Sequence, residues 1–143
     1  MLKGISDLLY GDILKLLSDM GHGDELVLGD ANFPAASSAR RLAYLNGHDT
    51  LSVLSAILSV FPLDDYVPAP VSLMRVSPGD TTIPVIHDEV RAVVARFDSR
   101  GELAVGLVDR FDFYERARNA YAVITTSERK LYGCVILKKG VIR

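Results

Sequence analysis

The chain has 143 residues, 49% apolar and 24% charged, with a formal charge of −2. That balance excludes a disordered chain and supplies enough apolar material for one packed core. It also argues against nucleic acid as a partner, because phosphate binding needs a basic surface.

No apolar run approaches the ~20 residues that span a bilayer, so no membrane partner is expected. The start, "MLKGIS", lacks the charged region, apolar run and small-residue site of a secretory signal. A single cysteine, Cys134, rules out an internal disulfide. These features predict a cytoplasmic protein. The one basic cluster, Lys138-Lys139 with Arg143, is too short to change the charge argument. Trp is absent, so any stacking on a sugar falls to Tyr and Phe.

Ile13, Leu14, Leu16, Leu17 and Met20 fall on one helical face, and Gly21 supplies a stop. "ELVLGD" (25–30) reads as a short buried strand, followed by an Asn32-Phe33-Pro34 turn. "RRLAYLNG" forms another strand closed by Asn46-Gly47. Leu51, Leu54, Ile57, Leu58 and Phe61 recur at helical spacing, with Asp49 or Thr50 as the cap and Pro62 as the end.

"PVSLMRV" (70–76) alternates as a strand. Pro84 opens a helix in which Val85, Ile86, Val90, Val93, Val94 and Phe97 share a face. "LAVGLVD" (103–109) is a strand, "FYERARNA" (113–120) a short helix, and "YAVITTS" (121–127) and "YGCVILKKG" (132–140) are strands. Ala122–Ile124 and Val135–Leu137 are apolar on successive residues, which implies cover on both faces. The pattern predicts an α/β fold, a single-domain three-layer sandwich with helices packed on a mixed or parallel central sheet.

The common chemical motifs are missing. There is no GxxxxGK[ST] loop, no GxGxxG after a strand, no HxH, HExxH or CxxC, and no GxSxG elbow. Cys134 inside "YGCVIL" reads as a strand-core residue rather than a nucleophile. What remains is His22, set between two glycines in "MGHGDELVLGD", with Asp24, Glu25 and Asp30 nearby to orient the ring or share proton work. Imidazole both gives and accepts a proton near neutral pH, and flanking glycines let a ligand come close. A metal gathered from His22, Asp24 and Asp30 is a lesser alternative.

Blander readings stand beside these. His22 can simply cap the negative end of the preceding helix, and Asp30-Ala31-Asn32 can be an Asx-turn. Residues 108–140 are dense in Arg and Tyr, suited to hydroxyls and carboxylates, or merely form a solvated helix with a Glu115–Arg118 pair. Arg110, ahead of that helix, and Tyr132-Gly133, opening the next strand, fall at element ends, where site residues concentrate.

"MLKGIS", "MGHGDELVLGDANFPA", "FPLDDYVPAPVSLM", "RFDFYERARNAYAVITT" and "YGCVILKKG", in that order over nearly the whole chain, resemble the fucose mutarotase branch of the L-fucose mutarotase and D-ribose pyranase (RbsD/FucU) family. The likeness is weakest at 36–48 and 77–104. It implies one mutarotase-type domain over residues 1–143, interconverting the α and β anomers of a free monosaccharide, most readily L-fucose, without cofactor or metal. The family's catalytic His falls on His22, its sugar-binding Asp on Asp30, and the Arg of its "RFxFYER" motif on Arg110. Tyr114 occupies the place where the ribose branch carries His. The family's "YGN" motif matches at Tyr132 and Gly133 but reads Cys134 here, and a thiol is a far poorer hydrogen-bonding group than a carboxamide. The likeness further implies a homo-oligomer, a decameric ring of two stacked pentamers with sites near subunit boundaries. A non-catalytic monosaccharide-binding accessory to uptake is the rival reading, and a purely structural assembly protein a third.

Overall fold

The computed structural model describes residues 1–143. Helices α1 (Gly11–Asp19), α2 (Ala35–Ser38), α3 (Thr50–Leu58), α4 (Val85–Ala95) and α5 (Arg110–Asn119) surround six strands. These are β1 (Glu25–Gly29), β2 (Leu42–Tyr44), β3 (Val71–Met74), β4 (Val105–Val108), β5 (Ala122–Thr125) and β6 (Val135–Lys138). They form one sheet in the order β2-β5-β1-β6-β3-β4. Every pair is parallel except those of β6, which runs antiparallel to both β1 and β3. The sheet is therefore mixed.

Strand side chains alternate between faces, and both faces are dry. Leu26, Leu28, Leu73, Ile124 and Leu137 point into the larger core, with Ile13 and Leu17 of α1, Leu54 and Ile57 of α3, and Val90 and Val94 of α4. Val27, Met74, Val123 and Ile136 point the other way, onto Ala35 of α2 and Phe113 and Ala117 of α5. This produces the three layers, and it explains why these strands are apolar on successive residues.

Several expectations need correction. On α4 the buried face is Ile86, Val90 and Val94, with His87 turned inward, while Val85 and Phe97 are exposed. Helix α5 begins at Arg110, so that residue opens the helix instead of preceding it. Its ion pair is Arg116 with Glu25, and Glu115 and Arg118 form none. Helix α1 ends on Met20 in extended conformation; the left-handed turn comes at Gly23 (φ +85°), not Gly21. Strand β6 starts two residues after Gly133.

Candidate functional site

Strands β1 and β3 end, and β6 begins, at the same edge of the sheet, which brings Asp30, Met74 and Cys134 together. Arg110 follows β4 directly. In α/β sheets this carboxyl edge is where ligands bind. It carries an open cavity of about 600 Å³ including its mouth, lined by Asp30, Arg110, Tyr114, Tyr132 and Cys134 among others. Five of the seven sequence-derived site residues thus share one space.

Each is held by local structure. The Asp30 backbone N–H donates to Cys134 Sγ at 3.4 Å, and its carboxylate accepts the Asn32 amide at 2.9 Å. The Asx-turn and the cavity position coexist in one residue. Arg110 lays its guanidinium 5.6 Å from the Tyr114 ring centre, and Phe33 stacks on the same ring at 5.8 Å between centres. Tyr132 adopts φ +61°, unusual for a side-chain-bearing residue. Its hydroxyl donates to the Asp80 carboxylate and accepts the Ser77 amide at 3.2 Å. Cys134 is buried, and burial pushes its thiol well above the usual range, so it lines the cavity as a neutral, weakly polar group.

Gly133 does not face the cavity. It is packed so tightly that a Cβ there would lie 2.7 Å from Glu128 Cγ, and its carbonyl accepts from Thr50 Oγ1 at 2.9 Å. Its work is to let Tyr132 and Cys134 reach the site. The cavity thus joins a carboxylate, a guanidinium and phenols to an apolar floor of Phe33 and Met74. That combination suits a small polyhydroxylated ligand.

His22 lies elsewhere. It precedes β1 and Asp30 follows it, so the five-residue strand separates them by roughly 17 Å. Three His, Cys, Asp or Glu side chains gather nowhere in a metal-binding group. The His22 ring packs 5.2 Å from Tyr66, and Nε2 is 3.2 Å from Asp64 Oδ1. Asp24 instead accepts the Gly21 amide at 2.7 Å, and Glu25 binds Arg116. Neither orients the imidazole. Nor is His22 a helix cap: Lys139 Nζ takes the carbonyls of Leu17 and Met20 at the end of α1. The histidine is free for other work and faces a separate apolar groove with Phe61 and Val141.

Sequence reasoning missed Asp64, Ser77 and Asp80. "PLDDYV" gives no sign of which carboxylate turns inward, and "SPGD" carries no motif that marks Ser77 or Asp80. The inward choice is made by Arg100, which donates to the carbonyls of Asp64 and Val67 at 3.0 Å each and pairs with Asp98.

The fold and the cavity define an α/β protein with an open, polar-lined cavity of small-ligand size at the carboxyl edge of its sheet. More narrowly, the chain belongs to the RbsD / FucU transport protein family, whose profile matches residues 3–142. It is 43% identical over 141 residues to the L-fucose mutarotase of Actinobacillus pleuropneumoniae serotype 5b (strain L20), covering 99% of this chain and 97% of that one. Among solved structures, FucU from Bifidobacterium longum superposes with a TM-score of 0.96 at 45% identity, over 99% of this chain and 100% of that one. The fucose mutarotase from Streptococcus pneumoniae, solved in complex with L-fucose, gives 0.91 at 42%, again over 99% and 100%.

Proposed function

We propose that this protein is an isomerase interconverting the α and β anomers of L-fucose, with residues 1–143 acting as one mutarotase domain. The observation that carries this reading is the cavity of Asp30, Arg110, Tyr114 and Tyr132 at the strand ends, in a chain 43% identical to an L-fucose mutarotase.

Mutarotation requires one proton delivered to the ring oxygen and one removed from the anomeric hydroxyl. The ring then opens, the aldehyde turns its other face, and the ring closes with the protons returned. His22 handles one of these protons, since an imidazole carries one nitrogen that can donate and one that can accept. Asp30, Arg110 and Tyr132 hold the sugar hydroxyls, Tyr114 supplies a flat wall, and Cys134 takes the family's Asn position as a weak partner. The reaction already proceeds slowly in water, so acid–base help of about 10²–10⁴ is enough.

Since His22 and Asp30 stand at opposite ends of β1, one copy cannot bring both to one sugar. The reading therefore joins the His22 end of one copy to the cavity of a neighbour. Such a head-to-tail contact closes into a ring when its rotation divides a full turn, and the reading takes that ring as part of a homodecamer in the cytoplasm. Non-catalytic sugar binding is the second reading, favoured by the absence of His22 from the cavity of its own chain. Saturation-transfer NMR on L-fucose decides between them. Catalysis predicts faster exchange between the anomer signals, lost in His22→Ala while binding persists. Exchange unchanged by the wild-type protein sinks the mutarotase reading.

A further inference from the structure

The loop between β3 and α4 places Ser77 and Asp80 in the wall of the cavity. Both are bonded to the same atom, the Tyr132 hydroxyl oxygen. Ser77 N–H donates to it at 3.2 Å, and its own hydrogen goes to Asp80 Oδ2. Asp80 cannot swing away freely, because its other oxygen accepts the Thr82 amide at 2.8 Å.

A phenol has one hydrogen to give. Here it is spent on a carboxylate, and charge-assisted bonds of this kind are the stronger ones. The Thr82 and Tyr132 bonds also hold the Asp80 carboxyl below the ordinary carboxylate range, so it stays ionised through the neutral range. It then offers Tyr132 no hydrogen in return. What the oxygen keeps for a ligand is acceptor capacity alone, and the left-handed backbone at Tyr132 fixes where that oxygen lies.

We infer that Asp80 sets the polarity of the Tyr132 hydroxyl, so that Tyr132 receives a hydrogen bond from a sugar hydroxyl and gives none. Asp80 is thereby a positioning residue for specificity. One ring position of the sugar must carry a hydrogen-bond donor, and an acceptor in its place finds no partner. This rests on the functional reading above, in which the cavity holds the sugar.

Monodeoxy and monofluoro derivatives of L-fucose at positions 2, 3 and 4 test it, because fluorine can accept but never donate. Affinities come from saturation-transfer titrations on the wild type, Tyr132→Phe and Asp80→Asn, each first checked for cooperative thermal unfolding. In the wild type one position should lose about tenfold equally in its deoxy and fluoro forms, and Tyr132→Phe should erase that loss. In Asp80→Asn the carboxamide can donate to the phenol oxygen and free its hydrogen, so the fluoro sugar should regain affinity over the deoxy one. A wild-type preference for fluoro over deoxy at the position coupled to Tyr132, or no coupled position, overturns the inference while leaving the cavity a sugar site. Failure to bind L-fucose at all overturns the functional reading and this inference with it.

Discussion

Nε2 of His22 stands 3.2 Å from Oδ1 of Asp64, and the imidazole is 44% exposed while the carboxylate is 2% exposed. The buried partner is the fixed one: its oxygen also accepts the Tyr66 amide at 3.0 Å, within the turn that Arg100 holds. Asp64 therefore orients a ring whose other nitrogen remains free, as a carboxylate does for a catalytic histidine. His22→Ala should reduce the anomer exchange rate by about 10²–10⁴. Asp64→Asn should lower it less and leave sugar affinity unchanged, since Asp64 does not line the cavity. In the His22→Ala background, Asp64→Asn should cost nothing further. Additive losses would show that Asp64 acts independently of the ring.

The separation of His22 from Asp30 along β1 makes a prediction about mixed assemblies. His22→Ala and Arg110→Ala chains should each be inactive alone. Refolded together in equal amounts, they should recover about a quarter of the wild-type exchange rate. A site joining the His22 end of one copy to the cavity of the next is intact when both random draws succeed. No recovery, in rings shown by mass spectrometry to be mixed, would place both groups of a working site on one chain.

Much of the fold was legible because strand and helix periods are one-dimensional signals. Leu26, Val27 and Leu28 are apolar in succession because they face two cores, and Asp49 before a helical repeat is a cap, confirmed by its bond from the Ser52 amide at 2.7 Å. Position in space is another matter. "GHGDELVLGD" sets His22 and Asp30 eight residues apart, and only a strand between them sends them to opposite edges. Asp64 and Asp80 were illegible for a related reason. A carboxylate in a turn looks the same whether it faces water, a histidine or a phenol, and the choice depends on Arg100 and Tyr132, 36 and 52 residues distant. The helical repeat of α4 fails at Val85 and Phe97 because Val85 is the helix's first residue and Phe97 lies beyond its end at Ala95, and both are exposed.

His87 gives a pH dependence of stability. It is buried on α4, edge-on to Tyr132 at 6.4 Å, and its Nε2 has no hydrogen-bond partner. Burial, then the charge of Arg91, hold its pKa below the usual 6.5, against a smaller opposing pull from the Tyr132 backbone and Asp88. The folded state thus binds its proton later than the unfolded chain as pH falls. Stability is fully present above about 6.5 and is lost as pH drops toward the lowered folded value. Thermal midpoints measured from pH 7.5 to pH 5 should fall more steeply for the wild type than for His87→Phe. Parallel curves would mean that the imidazole takes up its proton without cost to the fold.

Gly133 tests whether the approach of chain to chain beside the cavity is as close as the packing indicates. A methyl group there meets Glu128 Cγ at 2.7 Å, the Lys130 carbonyl at 3.0 Å and Ile86 Cδ1 at 3.3 Å. Glu128 is itself buried and its carboxylate accepts the Lys130 amide at 2.8 Å, so it has little freedom to yield. Overpacking of this kind costs about 1–3 kcal/mol. Gly133→Ala should therefore lower the urea midpoint by about 1 M for a domain of this size. It should also weaken sugar binding, because Tyr132 and Cys134 flank the displaced residue on either side. A fully stable variant with weakened binding would locate the strain in the loop alone, and an unchanged midpoint with unchanged binding would refute the close packing.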